Sequence, residues 1–292
     1  MSIDLDTSLL SDPGVFSPER RAEIIVHYRR YGFVVIRDLF SPDLMDRMET
    51  ECVAAQRQVV AGELADRYGS TAFLDQDAAR NGTAERFANY VEFVNELSPA
   101  VVEGAADPFL VDVITALLGP DCWLNSASRA GVVYQDSRPG KESGYTRIGW
   151  HSDWQAAPNL DIWPATAFTF HLDGTSPANG FLRVVPGSHR WATPAPYRNL
   201  NGAAVPKDSR PTGGYTSARP PFRMPLGFEK IRGEIPIYTE RGDIILHDAY
   251  LWHSAARATD DVATRRHVRG GYLNGDPNGD GRREVFVKNA AR

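Results

Sequence analysis

Cysteine is nearly absent from this chain: Cys52 and Cys122 are the only two in 292 residues. That excludes a disulfide framework, and a reducing, cytoplasmic setting is the expectation. No apolar run reaches the length of a membrane span. The N-terminus, Met1-Ser2-Ile3-Asp4-Leu5-Asp6, has neither the basic start nor the apolar stretch of a signal peptide. Positive charge is not in excess either. Lys and Arg number 32 against 37 Asp and Glu, a net charge of −5, which speaks against a nucleic-acid surface. The densest basic stretch, Arg265-Arg266-His267-Val268-Arg269, is interrupted by apolar residues in the manner of a strand, not a tail. The expected partner is therefore a small molecule, with no nucleic acid and no membrane. No oligomeric state is implied.

What is present divides the chain in two. Ser17-Pro18-Glu19 is a helix start with proline at the first helical position, and the helix should stop at Gly32. Phe33-Val34-Val35-Ile36 reads as a buried strand. Ser41-Pro42-Asp43 opens a longer helix whose apolar face is Leu44, Met48, Cys52 and Val53. Further helices are expected around 84–97 and 107–118. From Trp123 onward short β-rich runs follow: Arg129–Gln135, Thr166–Leu172, Phe181–Val185, Asp243–His247, His267–Leu273 and Glu284–Lys288. Turn signals such as Asp173-Gly174, Pro186-Gly187 and Arg241-Gly242 separate them. Many short strands with turns between them indicate a sandwich or jelly roll. The expected organisation is a single domain over 1–292, mainly β with flanking α-helices. A helical part (about 1–120) packs on a jelly-roll core (about 121–290). Residues 192–236, rich in Pro, Gly, Arg and Tyr, read as a lid-like insertion at the mouth.

Two clusters carry chemistry. Gly149-Trp150-His151-Ser152-Asp153-Trp154 places a histidine two positions from an aspartate, a spacing that aims both side chains one way in an extended chain. Gly242-Asp243-Ile244-Ile245-Leu246-His247 and then His253 form the second. Two imidazoles and one carboxylate are the ligand set of a non-haem Fe(II) site with open coordination positions. We read His151, Asp153 and His253 as the metal ligands. His253 is preferred because it follows its strand, where the mouth should lie. His247, inside the strand, reads as a core or supporting histidine. His171 and His189 are the other competitors.

In order along the chain, Trp150-His151-Ser152-Asp153, Asn179-Gly180-Phe181-Leu182-Arg183-Val184-Val185-Pro186-Gly187-Ser188-His189, Gly242-Asp243-Ile244-Ile245, His253 and Arg265 resemble the phytanoyl-CoA dioxygenase family. The resemblance covers roughly 30–273. It implies a double-stranded β-helix (jelly-roll, cupin-like) core, Fe(II), 2-oxoglutarate as co-substrate and O2. It places His151, Asp153 and His253 at the iron. It also places Arg265 on the far carboxylate of 2-oxoglutarate, where a planar guanidinium pairs both oxygens, with Arg266 as the neighbouring alternative. Thr169 falls where the family contacts the co-substrate. Related halogenases lack the carboxylate that Asp153 supplies, so hydroxylation of a small molecule such as an amino-acid derivative or secondary metabolite is implied.

Trp154, Gln155, Tyr134 and Gln135 are the expected substrate contacts, and Arg219, Arg223 and Arg232 are candidates for an acidic substrate. Trp150, Trp163 and Trp252 are more readily core. Asp276-Pro277-Asn278-Gly279-Asp280-Gly281 copies the first half of a calcium loop but has Val287 at its twelfth position, so a plain turn is expected. Two readings compete with the oxygenase: a cupin-like metalloprotein that uses Zn or Mn as an isomerase or binding protein, and a catalytically silent member of the fold.

Overall fold

The computed structural model describes residues 13–69, 88–127, 131–137, 150, 153, 166–190, 230, 233–256, 258–260 and 263–274. Helix α1 (Arg21–Tyr31) follows a single 3-10 turn at Pro18–Arg20 and ends on left-handed Gly32. Helix α2 (Pro42–Ala61) begins where Ser41 Oγ accepts the Leu44 amide and ends on left-handed Gly62. Both ends are as the sequence signals require. Leu44, Met48 and Cys52 are buried on α2 as expected, and Val53 is half-buried.

The expected helix over 84–97 is not formed in its described part. Tyr90–Glu92 is strand β3, followed by a 3-10 turn at Val94–Glu96. A β-branched and aromatic run can fill either state, and here pairing at the edge of a sheet decides it. Two short helices follow, α3 (Pro99–Ala105) and α4 (Pro108–Leu118), each with proline in its first turn. Only α4 was expected; Asp107 accepts two amides at its start.

The other strands are β1 (Val15–Phe16), β2 (Phe33–Ile36), β4 (Cys122–Leu124), β5 (Val133–Ser137), β6 (Thr166–His171), β7 (Leu182–Val184), β8 (Ile235–Ile237), β9 (Ile244–Asp248), β10 (His253–Ala255) and β11 (Arg265–Asn274). One sheet has the order β1-β2-β9-β6-β11-β5-β3, with β4 also on β11; the other is β10-β7-β8. All pairs are antiparallel except β1–β2. Strand β8 lies at the end of the segment read as an insertion, so that segment returns to the core by residue 235. The runs 192–229 and 284–288 and the turn at 276–281 lie outside the described residues.

Strand parity sorts the large sheet into two faces. Val34, Ile36, Phe168, Phe170, Ile244, Leu246, Val268 and Tyr272 join one core with Met48, Cys52, Leu110 and Ile114 of the helices. Phe33, Val35 and Ile245 point the other way and join Val184, Ile235 and Ile237 of the small sheet. The helices thus back the large sheet, and the small sheet covers its other, interior face. On β11 the helix-side residue Arg266 is paired with Asp173 and Glu49. Arg265, His267 and Arg269 alternate with it toward the interior.

The Gly242-Asp243 pair starts β9. Gly242 has φ +90°, and Asp243, 1 % exposed, accepts from Arg37 at 2.9 and 3.0 Å and from the Glu240 amide at 2.8 Å. Replacing Asp243 with Ala leaves the partly buried Arg37 guanidinium only the exposed Glu240 carboxylate and orphans the Glu240 amide, which should cost about 3 kcal/mol, at the lower end for a broken buried pair. Urea unfolding measures it, and a loss under about 1 kcal/mol would contradict this role for the pair.

Candidate metal centre

Strand β9 aims His247 at the interior, opposite Ala167 of β6, and His253 begins β10, opposite Val184 of β7. The two imidazoles therefore approach each other from the two sheets, with ring centroids 4.6 Å apart. Asp153 meets both. Its Oδ1 lies 3.5 Å from His253 Nε2 and its Oδ2 3.8 Å from His247 Nδ1. One ligating atom from each of these three residues lies within 4.8 Å of the others. Both imidazoles are buried, while the Asp153 side chain is about one-third exposed.

His253 Nδ1 sits 2.9 Å from the Leu251 carbonyl. A carbonyl only accepts, so Nδ1 carries a proton and Nε2 is turned toward Asp153. Burial pushes the His253 pKa down, but the Asp153 carboxylate and the Leu251 carbonyl outweigh it, and the pKa is raised. His247 goes the other way: burial and His253 push it down to about 4 against the pull of Asp153.

The Pro186-Gly187-Ser188-His189 turn explains how His253 is held. Ser188 Oγ accepts the Trp252 amide at 2.8 Å, and the Val185 amide donates to the Trp252 carbonyl at 3.0 Å. Both bonds fix the residue immediately before His253. His189 is a support, not a ligand. Its ring occupies the space a side chain at Gly32 would need, and its Nε2 faces the Arg29 carbonyl at 3.3 Å.

Asn179-Gly180 does the same for Arg265. Asn179 Nδ2 donates to the Gly174 and Thr264 carbonyls, tying down the residue before Arg265. Gly180 has φ +85°, and a Cβ there would stand 2.9 Å from Arg265 Nη1 and 2.7 Å from the Ala256 carbonyl. The Ala256 carbonyl and the guanidinium together leave no room for a side chain at that point.

Of the residues expected at the site, Asp153 and His253 come together. His151, Trp154 and Gln155 lie outside the described residues. Arg265 is buried on the interior face, whereas Arg266 faces the helices and is committed to Asp173 and Glu49. Thr169, half-buried, shares the interior face between Ile245 and Arg269. Gln135 is interior, but Tyr134 is not. Its ring is fully buried in the helix-side core, on the opposite face of β5, which removes it from the substrate contacts. Trp150 and Trp252 are buried, and Trp150 stacks under Arg183 with Cζ 4.8 Å from the ring centre. Among the described residues no helix is long and apolar enough to cross a membrane.

Sequence reasoning missed the nearness of His247 to Asp153. Its parity on β9, two positions from the interior residue Ile245, was the available signal. It also missed a second imidazole pair, His171 and His267.

Known proteins share the sequence pattern and the fold. The sequence model of the family described as phytanoyl-CoA dioxygenase (PhyH) matches residues 28–267. Ectoine dioxygenase of Nocardia farcinica is 28% identical over 188 residues, 63% of this chain and 55% of that protein. Ectoine dioxygenase of Sphingopyxis alaskensis is 30% identical over 169 residues, 56% of this chain and 48% of that protein. The chain thus spans about half the length of the curated relatives it matches. The crystal structure of EctD from S. alaskensis with 2-oxoglutarate and 5-hydroxyectoine has a TM-score of 0.54 at 21% identity, covering 87% of this chain and 76% of that one. The non-heme alpha ketoglutarate dependent carbocyclase SnoK from nogalamycin biosynthesis has 0.58 at 17%, covering 90% and 88%. These likenesses establish the fold, a jelly roll backed by helices.

Two outcomes follow from this geometry. Gly62 and Gly180 both have positive φ, but a Cβ at Gly62 meets nothing within 4 Å. Gly62→Ala should cost about 1 kcal/mol from backbone strain alone, and Gly180→Ala clearly more, by thermal or urea unfolding. Equal losses would mean that neither the Ala256 carbonyl nor the Arg265 guanidinium resists a Cβ at Gly180. Acid should also destabilise the protein. Burial holds His171 at about 3 and His189 at about 4, against 6.5 when solvated. The unfolded chain then binds more protons below pH ~6.5, so stability present above that pH is lost as pH falls toward 4. His189→Gln should flatten the fall in urea midpoint between pH 6.5 and 4.5. An unchanged slope would show that His189 is not held neutral.

Proposed function

Because the chain belongs to the phytanoyl-CoA dioxygenase family, we propose that it is an Fe(II)- and 2-oxoglutarate-dependent dioxygenase. It would hydroxylate an unactivated C–H bond of a small molecule, an amino-acid derivative or secondary metabolite, and release succinate and CO2. The observation that carries this reading is the Asp153 carboxylate set against two buried imidazoles, on the interior face that also holds Arg265. The donors fit the metal: the Asp153 carboxylate and the His253 imidazole supply two members of the set of two imidazoles and one carboxylate that suits non-haem iron with positions left open, and His151, two positions from Asp153 in the chain, would supply the third.

His151, Asp153 and His253 would hold the iron, with His247 beside Asp153 supporting its carboxylate. Bound Fe(II) together with 2-oxoglutarate supplies the activation of O2. The remaining work falls to this chain's own side chains. The Leu251 carbonyl keeps the His253 ring aimed. Arg265, held by Asn179 and given room by Gly180, pairs with the distal carboxylate of 2-oxoglutarate, and Thr169 and Gln135 line the same face. Trp154 and Gln155 would meet substrate. Asp153 occupies the place a halide would need, which favours oxygenation over halogenation.

The test is succinate formation from 2-oxoglutarate, with O2 consumption, by the purified chain loaded with Fe(II) and a panel of candidate small molecules. Asp153→Ala and His253→Ala should lose iron and turnover together, while His247→Ala should keep most of its iron. Arg265→Ala should retain iron but raise the Michaelis constant for 2-oxoglutarate tenfold or more, since breaking such a charge pair costs roughly 2–5 kcal/mol. Metal binding without O2-dependent succinate would favour a cupin-like metalloprotein of another class. Iron lost in His247→Ala but kept in His253→Ala would reverse the ligand assignment.

A further inference from the structure

The interior face carries a second polar cluster that the metal centre does not use. His171 of β6 and His267 of β11 are direct cross-strand neighbours, with ring centroids 5.9 Å apart. Both are buried, 4% and 8% exposed. Neither nitrogen of His171, nor Nδ1 of His267, makes a hydrogen bond of good geometry. His171 also has a backbone contact with Asp173, but buried imidazole nitrogens short of well-formed hydrogen bonds are costly and rare, and a facing pair of them calls for an occupant.

The charges around the pair select what that occupant is. Arg265, two residues before His267 on the same face, acts on both rings, and Arg269 acts on His267. Asp173 also faces His171, but its oxygens are taken by Arg266, from Nε at 2.9 Å and Nη2 at 2.7 Å. Gln135, the other cross-strand neighbour of His267, is uncharged and donates to Ser137 Oγ at 2.7 Å. A cation is disfavoured here, and an anion with accepting oxygens is favoured. Burial, then Arg265, push both rings down, His171 to about 3 and His267, which also feels His171 and Arg269, well below its usual value, while the Asp173 charge and backbone pull His171 part of the way back. Both imidazoles are therefore neutral at pH 7, and each donates one N–H.

Resting on the co-substrate reading above, we propose that His171 and His267 are specificity-determining residues of the 2-oxoglutarate site. Their N–H groups, with the Arg265 fork, close around the distal carboxylate and set the length of 2-oxo dicarboxylate that fits. A carboxylate has about four acceptor positions. The guanidinium fork takes two, and the imidazoles reach the others. On this reading their buried rings, 5.9 Å apart, would also bound this end of the site against an added methylene.

The experiment is anaerobic titration of the Mn(II)-loaded full chain with 2-oxoglutarate and with 2-oxoadipate, one methylene longer, by calorimetry. His171→Phe and His267→Phe keep the volume and remove the donor. Each should weaken 2-oxoglutarate binding tenfold or more with metal affinity unchanged, and His267→Gln, which restores a donor, should recover most of it. His267→Ala should narrow the preference for 2-oxoglutarate over 2-oxoadipate at least tenfold. Folded Phe variants that bind 2-oxoglutarate as the parent does, or an Ala variant with unchanged preference, would overturn the role of the imidazoles alone. A metal-loaded parent chain that binds no 2-oxoglutarate would overturn the co-substrate reading and this inference with it.

Discussion

The structure depends on one constraint: the long sheet must bury one of its faces against the helices. Phe168, Phe170, Ile244, Leu246 and Val268 do so with Met48, Leu110 and Ile114. Because side chains alternate along a strand, that burial fixes what lies on the other face. A slip of one residue in β11 would carry Arg265 and His267 into the helix-side core and expose Val268 to the interior. The apolar packing therefore sets the register, and the register aims the polar groups.

The second sheet turns that face into a site. Strand β10 brings His253 over β9, so that two imidazoles and the Asp153 carboxylate meet without being neighbours in the chain. The connecting motifs do mechanical work at this junction. Ser188 holds the amide of Trp252, Asn179 holds the carbonyl of Thr264, and Gly180 leaves room for the Arg265 guanidinium. Asn179, Gly180 and Ser188 thus act on backbone and side chains next to the candidate site residues. They fix the residue just before His253 and the residue just before Arg265.

Polarity on the interior face is graded. His253 is pulled toward its charged form by Asp153, while His247, His171 and His267 are held neutral by burial. Along β11, Arg265 and Arg269 bracket His267 and make that end attractive to anions. The end near Asp153 is attractive to a cation. A ligand with a metal-binding end and a distal carboxylate matches that gradient in one orientation.

Much of this was legible in the sequence. The capped helices at 42–61 and 108–118, the strands at 33–36, 166–171 and 265–274, and the candidates Asp153, His253 and Arg265 follow from caps, alternation and motif order, all of which are local. What local pattern could not give was pairing. Tyr90–Glu92 became a strand because β5 offered it an edge. Tyr134 was lost to the helix-side core because helix contacts fixed the parity of β5. His247 was drawn to Asp153, and His171 set beside His267, only once β9, β6 and β11 were aligned. The sequence by itself determined which groups can coordinate, cap and turn, since those are properties of residues and near neighbours. The tertiary structure alone decided which of them meet, since that depends on strand register across segments more than a hundred residues apart.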